Sequence, residues 1–378
     1  MANDEKALLL TGFPSNFLAR KMLPRLLDRQ PEDHVKCLVP EALLGKAQEL
    51  LGQLPKPTRT RVELVQGDTA AMDFGMSGRR FLALARGVRV VHHCASVVHG
   101  TVSRDVAERQ NVGGAGEVVD LALASDGRVQ RLVHWSSALL AGKRSGRVAE
   151  GDLIRPATFR NVVEETRFRA EQLMRDAMTQ LPVTILRPSI VVGDSTTGEI
   201  DRMEGPYLLI LLMLNSPLEL RIPLPGRGDQ PLNLVPLDYV IDAGLAIAND
   251  GRSAGRTFHL VDENPLTVRR VFELVAEAAG RPKPVGSVPT QLATALLRAP
   301  GLQRFSQIPT AFLEQLATDV VYDARNTREL LAGTGLECPL ASTYLKVMVD
   351  YVRRTQAQRA LNKVKKNPHF EEMEDPLD

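Results

Sequence analysis

Along the first 190 residues, short runs rich in Leu, Val and Ile alternate with longer stretches of helical periodicity. The runs at 6–11 (KALLLT), 34–39 (HVKCLV), 61–65 (RVELV), 88–92 (VRVVH), 131–135 (RLVHW) and 183–186 (VTIL) are predicted strands. Helices are predicted near 17–29, around 105–125 and around 161–180. Strands separated by helices imply βαβ units, and therefore a parallel sheet with helices on both faces. Right-handed crossovers make the expected fold class α/β, a doubly wound parallel sheet of Rossmann-like form.

After Pro188 the rhythm changes. Pro217, Pro223, Pro225, Gly226, Gly228 and Pro231 crowd together, and helical patterns dominate from Val268 onward. This predicts a smaller C-terminal lobe built from 191–232 and 263–355, with 233–262 returning to the first domain, 1–190. From about Gln356 the chain turns polar and ends in EEMEDPLD, so 356–378 is expected to be a mobile tail. No internal repeat is visible.

Composition narrows the function classes. Of 378 residues, 44% are apolar, enough for a large core. Cys37, Cys94 and Cys338 form no CxxC pair, which argues for a reducing compartment and against a zinc site. With 47 basic and 45 acidic residues intermingled, the net charge of +2 leaves no footprint for nucleic acid. The start, MANDEKALLL, lacks the basic lead and cleavage site of a signal peptide. The longest apolar run, 207–214, falls far short of the roughly 20 residues of a membrane helix. A cytoplasmic protein without a transmembrane segment is expected.

Thr11-Gly12-Phe13-Pro14-Ser15-Asn16-Phe17-Leu18-Ala19 joins the first strand to the first helix, where a dinucleotide fold offers helix N-terminal amides to a pyrophosphate. The segment resembles the TGxxGFxG loop of extended short-chain dehydrogenase/reductases, with one extra residue and no second glycine. Asn16 is expected to replace a glycine at positive φ, and Ala19 replaces the packing glycine. The turn is either an altered nucleotide site or a tight turn that keeps only the ancestral shape. Gly67-Asp68, His93-Cys94-Ala95-Ser96, Asn111-Val112-Gly113-Gly114 and Arg187-Pro188-Ser189-Ile190 resemble the family's adenine, ribose and nicotinamide segments. The resemblance thus implies cofactor contacts at Thr11, Gly12, Ser15, Asn16, Phe17, Asp68, Ala95, Asn111, Pro188 and Ile190. Pro40 and Glu41 stand where an NADP-binding arginine would follow the second strand. Glu41 is either a ribose acceptor favouring NAD or a first-turn helix acid. His92, His93 and Cys94 suggest a metal only superficially, because consecutive strand residues point to opposite faces.

The family's chemistry needs a tyrosine, a lysine one helical turn later, and a serine or threonine on the preceding strand. Val133-His134-Trp135-Ser136-Ser137-Ala138-Leu139-Leu140-Ala141-Gly142 resembles the serine segment and assigns that role to Ser137. Asn161 to Leu173 resembles NxYexsKxxaEqL, which puts Val163 at the tyrosine position and Arg167 at the lysine position. None of Tyr207, Tyr239, Tyr322, Tyr344 and Tyr351 has a lysine four residues later. Valine has no proton to give, and arginine stays charged while still able to hold a ribose or phosphate. Loss of a positioned general acid costs about 10²–10⁴-fold in rate. Either another group, such as His99 or a serine, has taken over proton transfer, or the chemistry is gone.

The stretches RPSIVVGDSTTGEIDRMEGPY and Asn233 to Val240 resemble the acyl-thioester reductase branch. The apolar runs 208–214, 292–297 and 312–316 then either line an acyl channel, touch a membrane surface, or form ordinary lobe core. The leading expectation is a non-catalytic binding, sensing or scaffolding protein, holding NAD or NADP weakly or not at all, or an acyl-type ligand. A protein partner or a homodimer is compatible with that role. The alternative is an NAD(P)-dependent oxidoreductase with an unconventional proton donor. No metal is expected.

Overall fold

The structure, a computed structural model, describes residues 7–98, 102–219, 221–289, 292 and 310–366. Its first unit contains β1 (Ala7–Thr11), α1 (Phe17–Arg29), β2 (His34–Val39), α2 (Leu44–Gly52), β3 (Val62–Gln66), α3 (Gly78–Arg86) and β4 (Val90–His93). It continues with α4 (Gly114–Leu123), β5 (Arg131–Trp135), α5 (Val162–Asp176), β6 (Val183–Pro188) and β7 (Arg256–Leu260). The seven strands form one sheet in the order β7-β6-β5-β4-β1-β2-β3, and all neighbours run parallel. This is the doubly wound sheet that the alternating pattern predicts.

All five residues of β1 are buried because both faces of the sheet are covered. Leu8 and Leu10 pack with Met22, Leu23 and Leu26 of α1 and with the helix Leu237–Asn249. Ala7 and Leu9 face the opposite core of Leu84, Val118, Leu121 and Met174. Burying each large side chain contributes about 1.5–3 kcal/mol. After β3 the chain returns to the other side of β1, which places the topological switch between β1 and β4.

The helix expected around 105–125 is resolved into a short helix Arg104–Ala107, a π-helical turn Glu108–Gly113 and α4. Such an i→i+5 insertion is frequent at functional sites, and it carries Asn111.

The first unit comprises 1–191, 230–265 and 318–338; the second comprises 192–229, 266–317 and 339–378. Residues 318–338, read from sequence as part of the lobe, therefore belong with the sheet. Val320–Tyr322 pairs in parallel with Gly146–Val148. Glu150 anchors the following turn, its carboxylate accepting from the N–H groups of His259, Asn326 and Thr327 at 2.9, 2.5 and 3.1 Å.

The second unit is built on the helices Pro206–Asn215, Val268–Ala279 and Ala341–Lys366, with a parallel pair of Leu224–Pro225 and Ser287–Val288. The last helix runs eleven residues into the stretch read as a tail (Gln, Arg, Ala, Leu and Lys there are good helix formers), ending at Lys366. The rest of that stretch, 367–378, lies outside the described residues. Tyr207, Leu209, Ile210, Met213, Phe312, Leu313 and Leu316 are buried, as lobe core requires, whereas 293–297 lie outside the described residues. Among the described residues no helix is long and apolar enough to cross a membrane.

Candidate functional site

The turn after β1 is held by its own polar groups. Gly12 has φ +93°, and a Cβ there would sit 2.8 Å from the Cys94 carbonyl carbon and 2.9 Å from the Ala95 nitrogen. Only glycine allows both the conformation and the close approach. The Gly12 carbonyl accepts from the Asn16 N–H at 2.7 Å and from the Ser15 hydroxyl at 3.2 Å. Asn16 does not occupy the left-handed region expected for a glycine substitute. With one more residue in the turn it reaches φ −84° as the N-cap of α1, its side-chain oxygen accepting from the Ala19 N–H at 3.3 Å. Its side-chain amide donates to the Cys94 carbonyl at 2.9 Å. Phe17 opens α1 with the Arg20 and Lys21 cations 5.3 and 5.7 Å from its ring centroid.

Thr11 ties the same corner to β4. Its hydroxyl accepts from the Ala95 N–H at 3.1 Å and shares a 2.9 Å hydrogen bond with His93 Nδ1. Burial and the neighbouring His134 hold His93 well below the usual imidazole range, so it is neutral. His92 points elsewhere, and among the described residues no group of three His, Cys, Asp or Glu side chains could hold a metal ion. Glu41 is exposed on a short turn following β2, and the Asp68 carboxylate closes its own loop by accepting from the Ala70 N–H at 2.9 Å. Pro188 ends β6 buried, and Ile190 follows it half-buried.

The second cluster lies where β5 meets α5. Asn161 caps α5 by accepting from the Glu164 N–H at 2.9 Å, so Val163 and Arg167 fall one turn apart on one face. The Arg167 guanidinium donates to the carbonyls of Trp135 and Ser136 at 3.2 and 2.9 Å. That face therefore meets the carboxyl end of β5, immediately before Ser137. Burial brings the Arg167 guanidinium down to about 10, with Glu171 and Glu164 opposing. Ser137 is buried, and its hydroxyl oxygen accepts from the Leu139 N–H at 3.2 Å. Val163, read from sequence as standing at the family's tyrosine position, is a buried apolar side chain. Asn111 bridges the two clusters, accepting from the Val97 N–H at 2.7 Å and donating to the Thr166 hydroxyl at 2.9 Å. His99, the histidine considered as a substitute proton donor, lies outside the described residues.

One further turn along α5 is a network that the motif reading passes over. Glu171 is fully buried and accepts from the Ser136 hydroxyl at 2.6 Å, Arg175 at 2.9 Å and Arg187 at 2.5 Å. Burial alone would raise its carboxyl, but Arg187, Arg175 and Ser136 hold it at about 2. Arg187 also approaches His259 Nε2 at 3.4 Å. Because His259 Nδ1 faces the Asp323 carbonyl at 2.7 Å, Nδ1 carries the proton and Nε2 accepts. The signal for this network is the spacing of Val163, Arg167, Glu171 and Arg175 at four-residue intervals along one helix face.

Residues 10–244 match the NAD-binding family described as Male sterility protein. Among curated relatives, the nonribosomal peptide synthetase asaC of Aspergillus flavus is 27% identical over 279 residues, 69% of this chain and 26% of the relative. The glycine betaine reductase ATRR of Emericella nidulans is 29% identical over 286 residues, 71% of this chain and 22% of the relative. The chain thus spans about a quarter of the length of these proteins. The terminal R domain from the myxalamid PKS-NRPS biosynthetic pathway superposes with a TM-score of 0.78 at 23% identity, covering 93% of this chain and 91% of that one. UDP-glucuronic acid 4-epimerase from Bacillus cereus, in complex with NAD, gives a TM-score of 0.64 at 16% identity, covering 92% and 99%. Those two likenesses establish a shared fold. The family match covers well over half of the 378 residues, and the chain belongs to the Male sterility protein family of extended short-chain dehydrogenase/reductase-like, NAD-binding proteins.

Proposed function

We propose that this chain is a non-catalytic member of its family, a binding, sensing or scaffolding module that holds NAD(H) weakly or takes an acyl-type ligand. The observation that carries this reading is the α5 face turned to β5. Val163 presents a hydrocarbon where a proton must be exchanged, and Arg167 is bonded to strand carbonyls. A carbonyl placed there meets Ser137 as a hydrogen-bond donor and no tuned phenol beside it. Weak nucleotide affinity is supported by the extra residue in the β1–α1 turn and by the absence of its further glycines. The buried thiols of Cys37 and Cys94 fit a reducing, cytoplasmic setting. The companion is an acyl-type molecule, a protein partner or a second copy, and a pull-down from the native cell distinguishes them.

The test is made on the unmutated protein with NADH and NADPH, against carbonyl and acyl-thioester substrates. Absorbance of the dihydronicotinamide should not fall above background. Cofactor-dependent turnover that survives Ser137→Ala overturns the reading.

A second reading, an acyl-thioester reductase with a relocated proton donor, is favoured by the glycine betaine reductase among the relatives and by Tyr322. Tyr322 packs against a small cluster of Ala138, Val261 and Ala324, which includes the residue after Ser137. Burial pushes its phenol up to about 12, against the pull of Arg160, so it donates a hydrogen bond but gives up its proton reluctantly. Under this reading, turnover exists and Tyr322→Phe abolishes it.

A further inference from the structure

In a doubly wound sheet the ligand crevice opens outside the carboxyl ends of the strands at the topological switch, here β1 and β4. Asn16 crosses that crevice from the β1 side to the β4 side. Its backbone N–H is bonded to Gly12, its side-chain oxygen caps Ala19, and its side-chain amide reaches the Cys94 carbonyl. We propose that Asn16 is an intramolecular strap that closes the β1–β4 crevice to a dinucleotide's diphosphate. The inference rests on the reading of the chain as a weak nucleotide binder, and it names the residue responsible.

Three features support it. The floor of the crevice is already narrow, since even a Cβ at Gly12 would collide with the Cys94 and Ala95 backbone. A diphosphate entering above that floor must approach the first turn of α1, where its negative charge is favoured by the helix N-terminus. The Asn16 side chain is fixed at both of its polar ends over this approach, 2.9 Å from one wall and 3.3 Å from the helix. A diphosphate must therefore displace a satisfied side chain before it gains any bond of its own. The cap and the strap are separable, because the oxygen serves α1 and the nitrogen serves β4. Serine at 16 keeps a capping oxygen and is too short to span to Cys94.

The experiment titrates the full chain, as wild type, Asn16→Ser and Asn16→Gly, with NADH and with NADPH, following dihydronicotinamide fluorescence. One neutral hydrogen bond lost on entry corresponds to about a tenfold weakening, so both variants should bind about tenfold more tightly than wild type. Their melting temperatures without ligand report folding, and Asn16→Gly lowers helix stability only slightly relative to other cap losses. Equal affinity in all three proteins overturns the strap, whether that affinity is tight or weak. Turnover by wild type would overturn the non-catalytic reading instead, leaving the affinity ratio to judge the strap independently.

Discussion

Two stretches of α5, one turn apart, are held in different ways. Around Val163 and Arg167 the helix face carries a buried apolar side chain and a guanidinium bonded to backbone carbonyls. Around Glu171 and Arg175 an ion network remains complete, with every oxygen of a fully buried carboxylate engaged. The contrast teaches that the ion network fixing α5 to the sheet is separate from the turn that carries Val163 and Arg167. The Glu171 network joins β5, α5 and β6 into one unit, and losing it would leave buried charges uncompensated. Changing Val163 or Arg167 has no such consequence for folding.

That difference is sharpest in the response to mutation. Glu171→Ala strands the Arg187 guanidinium, which is itself buried, and should lower stability by about 3–5 kcal/mol in urea unfolding. A loss below about 1 kcal/mol, the scale of an exposed pair, would erase the distinction between the two turns.

Acid should reveal the same region next. Burial, the first cause, holds His134 on β5 near 4 instead of its ordinary 6.5, with Arg167 and Arg187 assisting and Glu171 opposing. A neutral buried histidine resists a proton that the unfolded chain accepts. Stability therefore begins to fall as pH drops below about 6.5, and by pH 4 this one residue removes about 3 kcal/mol. Glu171 acts at lower pH: with its folded value depressed to about 2, its contribution is whole above its ordinary 4.5 and is lost as pH falls toward 2. Denaturant midpoints measured from pH 7 to pH 4 should fall for wild type, and less steeply for His134→Gln. Identical slopes would show that the imidazole is not held neutral.

Gly12→Ala tests the other half of the site. The substitution combines φ +93° with a backbone collision at 2.8 Å, and should cost about 1–3 kcal/mol of thermal stability. A neutral outcome would mean that the β1–α1 turn and the end of β4 are not in contact.

These contacts differ in how visible they are in a sequence. The strands of the sheet are legible because complete burial demands runs such as Leu8-Leu9-Leu10, and α1 and α5 begin at the asparagines that cap them. The meeting of the Val163–Arg167 helix face with the end of β5 is legible because local four-residue spacing defines that face. What escapes is the placement of polar groups across long separations. Asn16 and Cys94 are 78 positions apart, and nothing local announces that a side chain expected to relieve a turn would span to another strand. Val320–Tyr322 escapes assignment to the sheet unit because three residues carry too little periodicity to show which neighbour they pair with.

The smallest effect should come from restoring the missing pair. Val163→Tyr with Arg167→Lys puts the family's residues back on a helix face already oriented by Asn161, Thr166 and Glu171. Lysine at 167 still donates to the end of β5, while a tyrosine overfills the buried position of Val163, so the change in stability should be about 1–3 kcal/mol, below that of Glu171→Ala. If the chain is the weak nucleotide binder proposed above, hydride transfer should remain at background in this double variant, because a tuned phenol acts only on a nicotinamide held opposite it. Adding Asn16→Ser should then raise turnover to a detectable trace, read as loss of dihydronicotinamide absorbance with an acyl-thioester substrate. Strong activity from the double variant alone would show that the crevice between β1 and β4 is already open to the cofactor. Under the non-catalytic reading, the missing step would then lie wholly in the turn of α5 that carries Val163 and Arg167.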